Sequence, residues 1–528
     1  MLSAPPHSPA PLGVSGRLAA LFVDSKLTPL IIIASLLLGL FAVILTPREE
    51  EPQIVVPMAD VWLSFPGASA KVVEEQLTKP IERKLSEIKT VEYVYSISRP
   101  GGALIIVRFY VGEPMEQSLV DLYDKLMSNQ DLLPPGAQPF QVKPRDVNDV
   151  PIITLTLSSD RYTDFQLRQL GDRVLEDAKK VPGTASGFVV GGRGRELRVQ
   201  IDPSRLKAYG LTPLGVASVI QGENLALPTG RFESRNESFL VETGRFIHSK
   251  EDLEGVVVGV NEQRPVYLRQ VAEVTDGPTE ATSYVWHGEG PGEGRSSRVE
   301  GEAPAVTVAV AKQAGTNAVT IAQGVIRKVE ELKGTLIPDD VRVTVTRDYG
   351  DTADEKANEL LWHLLIAVVA VVVFLGLALG LRPALVVSLA IPLTLALTLF
   401  ISMLIGYSIN RVTLFALIFS IGILVDDAIV VVENTYRHLS LRLRPHREAS
   451  LFAVDEVGNP TILATLTVIA ALLPMAFVSG LMGPYMRPIP VNASIAMFVS
   501  LLVAFIVIPW LCGTCYRPGV HMAGVDHE

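Results

Sequence analysis

The chain has 528 residues, a formal net charge of −10 and a mean hydropathy of +0.33. The acidic balance argues against nucleic-acid binding. The cysteines, Cys512 and Cys515, both lie at the far C-terminal end, so no intrachain disulfide can staple the long polar stretch at 48–356, which must build its own core.

Leu27–Pro47 is the first uncharged apolar run. No small-residue cleavage site follows it. Pro47 leads straight into Arg48 and Glu49, Glu50, Glu51, and further apolar runs come later. That pattern predicts an uncleaved anchor, a first span at 28–47 behind a cytoplasmic N-terminus at 1–27. Beyond it, Val55–Phe65 alternates into a strand, and Ala68–Ile88 carries Val72, Leu77, Ile81 and Leu85 at helical spacing. Val91–Ser98 and Leu104–Val111 form a hairpin around Pro100, Gly101 and Gly102. A helix at about Met115–Ser128 and a strand near Gln141 complete a βαββαβ order, the ferredoxin-like split motif, over 48–148.

A second copy begins with a strand at Pro151–Ser158, a helix at about Thr163–Lys180 and a strand near Ser186–Val190, which assigns 149–192 to its first part. The other half comes later, at 283–356: strand Ala303–Ala311, helix Ala318–Leu332 and strand Val341–Thr346. The interval 193–282 is an inserted domain. Within it Gln221–Gly244 is polar and marked by Gly and Pro, and reads as a long projecting loop. Gly288–Arg298 reads as a flexible surface turn.

After Lys356 there is no lysine, and residues 360–381, 383–410, 457–486 and 488–516 carry no Asp, Glu, Lys or Arg. With the first run and Val412–Val432 this predicts six spans, each near or above the roughly 20 residues that cross hydrocarbon. We place them at 28–47, 358–381, 384–408, 412–435, 458–481 and 489–514. The loop at 436–457 holds Arg437, Arg442, Arg444 and Arg447, so it is cytoplasmic by the positive-inside bias, as is the tail at 515–528. Counting spans then puts the large insert outside. The Cys512–Cys515 spacing is that of a CxxC, but it sits at a span end without partner ligands and reads as small residues there.

Two aspartates, Asp426 and Asp427, interrupt the run Val412–Val432. A carboxylate at the bilayer centre costs on the order of 2.5–3.5 kcal/mol on insertion scales, so an adjacent pair marks a place where charge or protons cross. Neighbours in sequence lie about 100° apart on a helix, so both can face a bundle interior. Poor solvation and mutual repulsion disfavour ionising both, which brings proton capture and release into the working range. Each charge moved through 100 mV yields about 2.3 kcal/mol. An intramembrane aspartyl protease needs carboxylates from two different helices, and the other spans hold none. Metal export wants soft ligands along the route, and the insert has only the scattered Met58, Met115 and Met127.

The run GILVDDAIVVVEN at 422–434 resembles the resistance-nodulation-division (RND) efflux transporters, in their multidrug or hydrophobe-amphiphile branch. Supporting matches are FPGA at 65–68, PIE at 80–82, GYSIN at 406–410 and LPMAF at 473–477. The resemblance spans about 15–517 and only the N-terminal half of a usual member. It implies an α-helical polytopic membrane protein with six transmembrane helices. The large α+β periplasmic insert would hold two ferredoxin-like porter subdomains, with 193–282 as an inserted docking domain. It further implies a proton antiporter rather than an enzyme, in the bacterial inner (cytoplasmic) membrane. Such a pump exports lipophilic small molecules (drugs or amphiphiles) with the proton gradient as energy source and no cofactor or metal. The proton relay would be Asp426 and Asp427, and Phe188 a candidate of the substrate pocket, with Tyr284 and Trp286 beside it. A homotrimer, a periplasmic adaptor and an outer-membrane channel are the implied partners, and the loop at 221–244 would reach into a neighbouring protomer. Glu433 and Asn434 close the aspartate helix, as relay or as helix end.

The family sets its aspartates against a lysine and an arginine from the C-terminal half. No basic residue lies within these spans; Arg382, Arg411 and Arg487 are at span ends, and His363 lies near the outer start of the second. One chain is therefore expected to be part of a pump whose second half or subunit is elsewhere. A split-pump subunit and a truncated, non-functional fragment both account for this, and a protein-export auxiliary subunit, which would lack the Asp-Asp motif, is the more distant alternative.

Overall fold

The computed structural model describes residues 12–146, 149–288, 302–441 and 444–515. The turn expected at Gly288–Arg298 and the tail beyond Cys515 fall almost wholly outside them.

The first α/β unit is contiguous. Strand β1 (Met58–Ser64) is followed by a helical segment from Ala70 to Leu85 whose middle turn, Glu74–Thr78, is π-helical. Ser69 caps it by accepting from the Val72 amide. Then come β2 (Val91–Arg99), β3 (Gly102–Phe109), a helix at Met115–Met127 and β4 (Gln141–Arg145). The sheet runs β2-β3-β1-β4, antiparallel throughout. Both helices cover the same face, because Leu77, Ile81, Leu85, Leu122 and Leu126 share one core with Val61, Leu63, Ile105, Val107 and Phe109. Alternation in β1 and β3 drives this, since every second side chain must leave water.

The second unit repeats the order with its strands split. β5 (Pro151–Ser158), a helix at Asp164–Ala178 and β6 (Thr184–Val190) precede the insertion. β7 (Arg195–Ile201) to β12 (Ala272–Pro278) belong to the inserted domain, and β13 is the short pair Trp286–His287. β14 (Ala303–Lys312), a helix at Ala318–Leu332 and β15 (Arg342–Asp348) then complete the unit. β14 lies between β5 and β6, and β15 pairs the far side of β5, so the order β6-β14-β5-β15 is that of the first sheet.

The inserted domain has its own core around Leu206, Leu253, Leu268 and Val274. Here the loop expected at 221–244 takes another form. Residues 227–243 are a hairpin of β8 (Leu227–Ser234) and β9 (Glu237–Thr243), turning at Arg235 and Asn236, whose φ of 52° and 63° suit a tight hairpin turn. Both strands are exposed along their whole length, and Phe232 stacks on Phe239 across them at 5.1 Å. The Gly and Pro content masked an alternation that was present in the sequence. β10 (Val257–Asn261) and β11 (Arg264–Tyr267) form a second hairpin.

Among the described residues six helices are long and apolar enough to cross a membrane: Leu27–Leu45, Tyr349–Leu379, Leu381–Leu404, Arg411–Leu441, His446–Phe477 and Met482–Thr514. The sixth is the hub, with 72% of its apolar window buried, against 6% for the second and 11% for the fifth. First and third helices touch at Gly39, where a Cβ would sit 2.3 Å from that of Ala396. The second helix starts nine residues before the expected 358, because it continues upward past the apolar region to the Asp348 cap. Hydropathy marks the hydrocarbon, whereas the helix ends where a cap stops it. A helix at Val14–Phe22, not foreseen from the sequence, lies against the fifth and sixth, with the Gly16 amide donating to Asp455 Oδ1 at 3.2 Å.

Candidate functional site

The aspartate helix starts from a closed cap. Asn410 Oδ1 accepts from the amides of Val412 and Thr413 at 2.9 and 3.0 Å, and Thr413 Oγ1 accepts from the Asn410 amide. From there the helix runs unbroken to Leu441, with no proline, and its buried face turns to the sixth helix.

The two aspartates part company. Asp427 is buried, at 9% exposure, between the fifth and sixth helices. Thr465 Oγ1 donates to its Oδ1 at 3.1 Å, and Ser500, whose Oγ donates to the Leu424 carbonyl at 2.6 Å, lies beside the same carboxylate. Asp426 is exposed. It falls on a stripe with Phe415, Phe419, Gly422 and Glu433, all of them exposed as well. A Cβ on Gly422 would meet nothing within 4 Å. Within this chain's six helices only Asp427 of the two takes an interior position. Six helices wrap only part of the helix circumference, and the 100° step carries Asp426 past its edge. Among the described residues neither aspartate forms an ion pair.

Near the C-terminal end of that helix Asn434 turns inward. Its Nδ2 donates to the Ala453 carbonyl at 2.8 Å and to Glu456 at 3.1 Å, and Glu456 also holds Arg437 and His438. Asn434 thereby ties two helix ends together, while Glu433 faces outward. His363 is exposed on the second helix. Cys512 is buried at the end of the sixth; the Cys515 side chain lies outside the described residues.

In the second α/β unit Phe188 is 46% exposed on β6, opposite Ala309. Tyr284 and Trp286 line a cavity of about 400 Å³ together with Arg193 and Asp164, and Phe188 is not part of its wall. Arg193 grips Asp164 through two bonds of 2.8 Å and holds that carboxyl below its usual range. A larger cavity, about 540 Å³, lies at the base of the same unit. Glu49, Glu50, Lys312, Arg347 and Tyr349 line it.

Sequence reading missed Thr465 and Ser500. Their signal was faint: hydroxyls in apolar helices usually bond their own backbone, as Thr465 also does to Thr461 at 2.9 Å. It also passed over the pairing of Glu49 with Lys312, which are 263 residues apart.

A sequence profile of the AcrB/AcrD/AcrF family matches residues 18–523. Multidrug resistance protein MdtC of Yersinia pestis bv. Antiqua (strain Angola) is 29% identical over 94% of this chain and 48% of its own length. The protein of that name in Yersinia enterocolitica serotype O:8 is 30% identical over the same shares. The chain therefore spans about half the length of the curated relatives it matches.

Proposed function

This chain belongs to the AcrB/AcrD/AcrF family of RND efflux transporters, a group of multi-pass membrane proteins, and from that premise we propose that it forms one half of a proton-driven exporter of hydrophobic or amphiphilic compounds. The six apolar helices cross the bacterial inner membrane, with the two sheet units and the inserted domain on the periplasmic side. The sheet units, whose strand order is that of the ferredoxin-like split motif, are the porter subdomains at 48–148 and 149–192 with 283–356. The domain at 193–282 docks neighbouring copies, and its exposed hairpin supports a homotrimer. A periplasmic adaptor and an outer-membrane channel complete the route.

The observation that carries this reading is the position of Asp426. A carboxylate facing lipid is too costly to leave uncovered, and Phe415, Phe419 and Gly422 beside it are exposed as well. A partner helix from a second six-helix half, bearing a cation, covers it and turns the exposed aspartate into the second member of the relay. Asp427, with a hydroxyl donor from Thr465 and no ion pair among the described residues, is the member that this chain positions by itself. Substrate passes along the second porter unit, where Phe188, Tyr284 and Trp286 present exposed aromatic surface.

The test is efflux of a lipophilic fluorescent dye from cells expressing the chain with a second six-helix half. Asp426→Asn and Asp427→Asn should each abolish proton-dependent efflux at unchanged membrane levels. Efflux that survives either substitution removes that aspartate from the relay.

A further inference from the structure

We propose that the buried Glu49–Lys312 pair is a positioning element for transport, coupling the cap of the aspartate helix to the second α/β unit; the inference rests on the proton-relay reading above. Lys312 closes β14, and its Nζ meets Glu49 Oε1 at 2.6 Å. The two side chains are 7% and 6% exposed. Glu49 uses its other oxygen to accept from Ser408 Oγ at 2.9 Å, and Asn410, the helix cap, donates to that same Ser408 Oγ at 3.0 Å. One carboxylate thus touches the end of a strand outside the membrane and the first residues leading into the aspartate helix.

The backbone around Glu49 is knitted in the same two directions. Its amide donates to the Ile409 carbonyl, and the Ile409 amide donates to Pro47, at 3.0 and 2.9 Å. The Ala318 amide, at the start of the helix that follows β14, donates to the Arg48 carbonyl at 3.2 Å. Arg48 in turn holds Asp354 of the second helix at 2.7 Å, and Glu51 pairs with Arg411. From the Asn410 cap to Asp427 the helix is continuous, about 25 Å of rigid rod.

The chemistry of the pair suits a joint. An ion pair taken out of water is no bargain for stability, since apolar residues of similar volume often do as well. What it supplies is a strict geometry. With one charge moved away, the other is left desolvated, so the two bodies move together or the contact opens as a unit. The pair also walls the 540 Å³ cavity, so matter entering there presses on the same contact.

The experiment is hydrogen exchange of the full chain, together with a second six-helix half, in lipid nanodiscs, with Asp427→Asn as a mimic of the protonated state. In the otherwise native chain the mimic should change exchange both around the cap, 408–415, and across 303–332. With Lys312→Met the cap response should persist and the response at 303–332 should be lost. The swap Glu49→Lys with Lys312→Glu restores opposite charges, and should restore the distant response even where the single variant folds poorly. An undiminished response at 303–332 in Lys312→Met, or none in the swap, would make the pair a static clamp and overturn the proposal. If the mimic changes neither region in the native chain, the relay reading falls and takes the joint with it.

Discussion

Asp426 and Asp427 are adjacent in the chain and have opposite surroundings. Asp427 sits among Thr465, Ser500 and the packed sixth helix, with its carboxylate partnered by the Thr465 hydroxyl. Asp426 looks out over Phe415, Phe419 and Gly422 into open space. One residue of helical rotation separates a side chain enclosed by this chain's own helices from one that they leave exposed. The identity of a charged residue in an apolar helix thus marks a position of interest, whereas its azimuth decides what surrounds it.

Four measurements would break or sharpen that contrast. The largest effect is on transport. With the second half present, Asp427→Ala and Asp426→Asn should each reduce proton-dependent dye efflux to background. A full loss for one and no loss for the other would mean that the two faces do not share a task. Next comes packing. Ala496 on the sixth helix is 0% exposed, so Ala496→Leu should overpack the bundle by about 1–3 kcal/mol in a detergent melt. Gly422→Leu adds even more bulk on the open stripe, and there it should cost the isolated chain nothing while blocking association with the second half. Equal destabilisation by both would show that the stripe is already covered.

Smaller still, Thr465→Val keeps the shape and removes the hydroxyl donor to Asp427, for a loss of about 1 kcal/mol. The matching Phe419→Leu on the outer stripe should leave the melt unmoved. The smallest effect lies outside the membrane, at Asp164. Arg193 holds its carboxyl below the usual 3.8, so the folded state binds that proton less readily than the unfolded one. The stability so gained is present above pH 3.8 and is lost as pH falls through the lowered value. Arg193→Met should flatten this acid limb of the second unit, followed by the fluorescence of Trp286. A limb that stays parallel to the native one would exclude the ion pair as its cause.

The two α/β units teach where sequence patterns reach. In β1, β3, β5 and β14 a two-residue alternation with Val, Ile and Leu inward announces a strand without any knowledge of its neighbours. Even the interrupted second unit can be reassembled from its pieces, because each strand bears its own period. The hairpin at 227–243 was hidden, since its glycine and proline outweighed the alternation around Phe232 and Phe239. The aspartate motif and the lack of basic residues in the spans were equally visible in one dimension. Thr465 and Ser500 were not, because a hydroxyl in an apolar helix acquires a role only from what packs against it.

The sequence by itself determined the six apolar lengths, the pair of aspartates and the strand periods. These are local properties, set by transfer free energy and backbone geometry over a few turns or residues. The tertiary structure alone decided that Asp427 turns inward and Asp426 outward, and that Glu49 meets Lys312 across 263 residues of sequence separation. Both outcomes depend on how far neighbouring helices wrap around one another and on which strand end comes to rest on which loop. Such contacts exist only once the whole chain is packed.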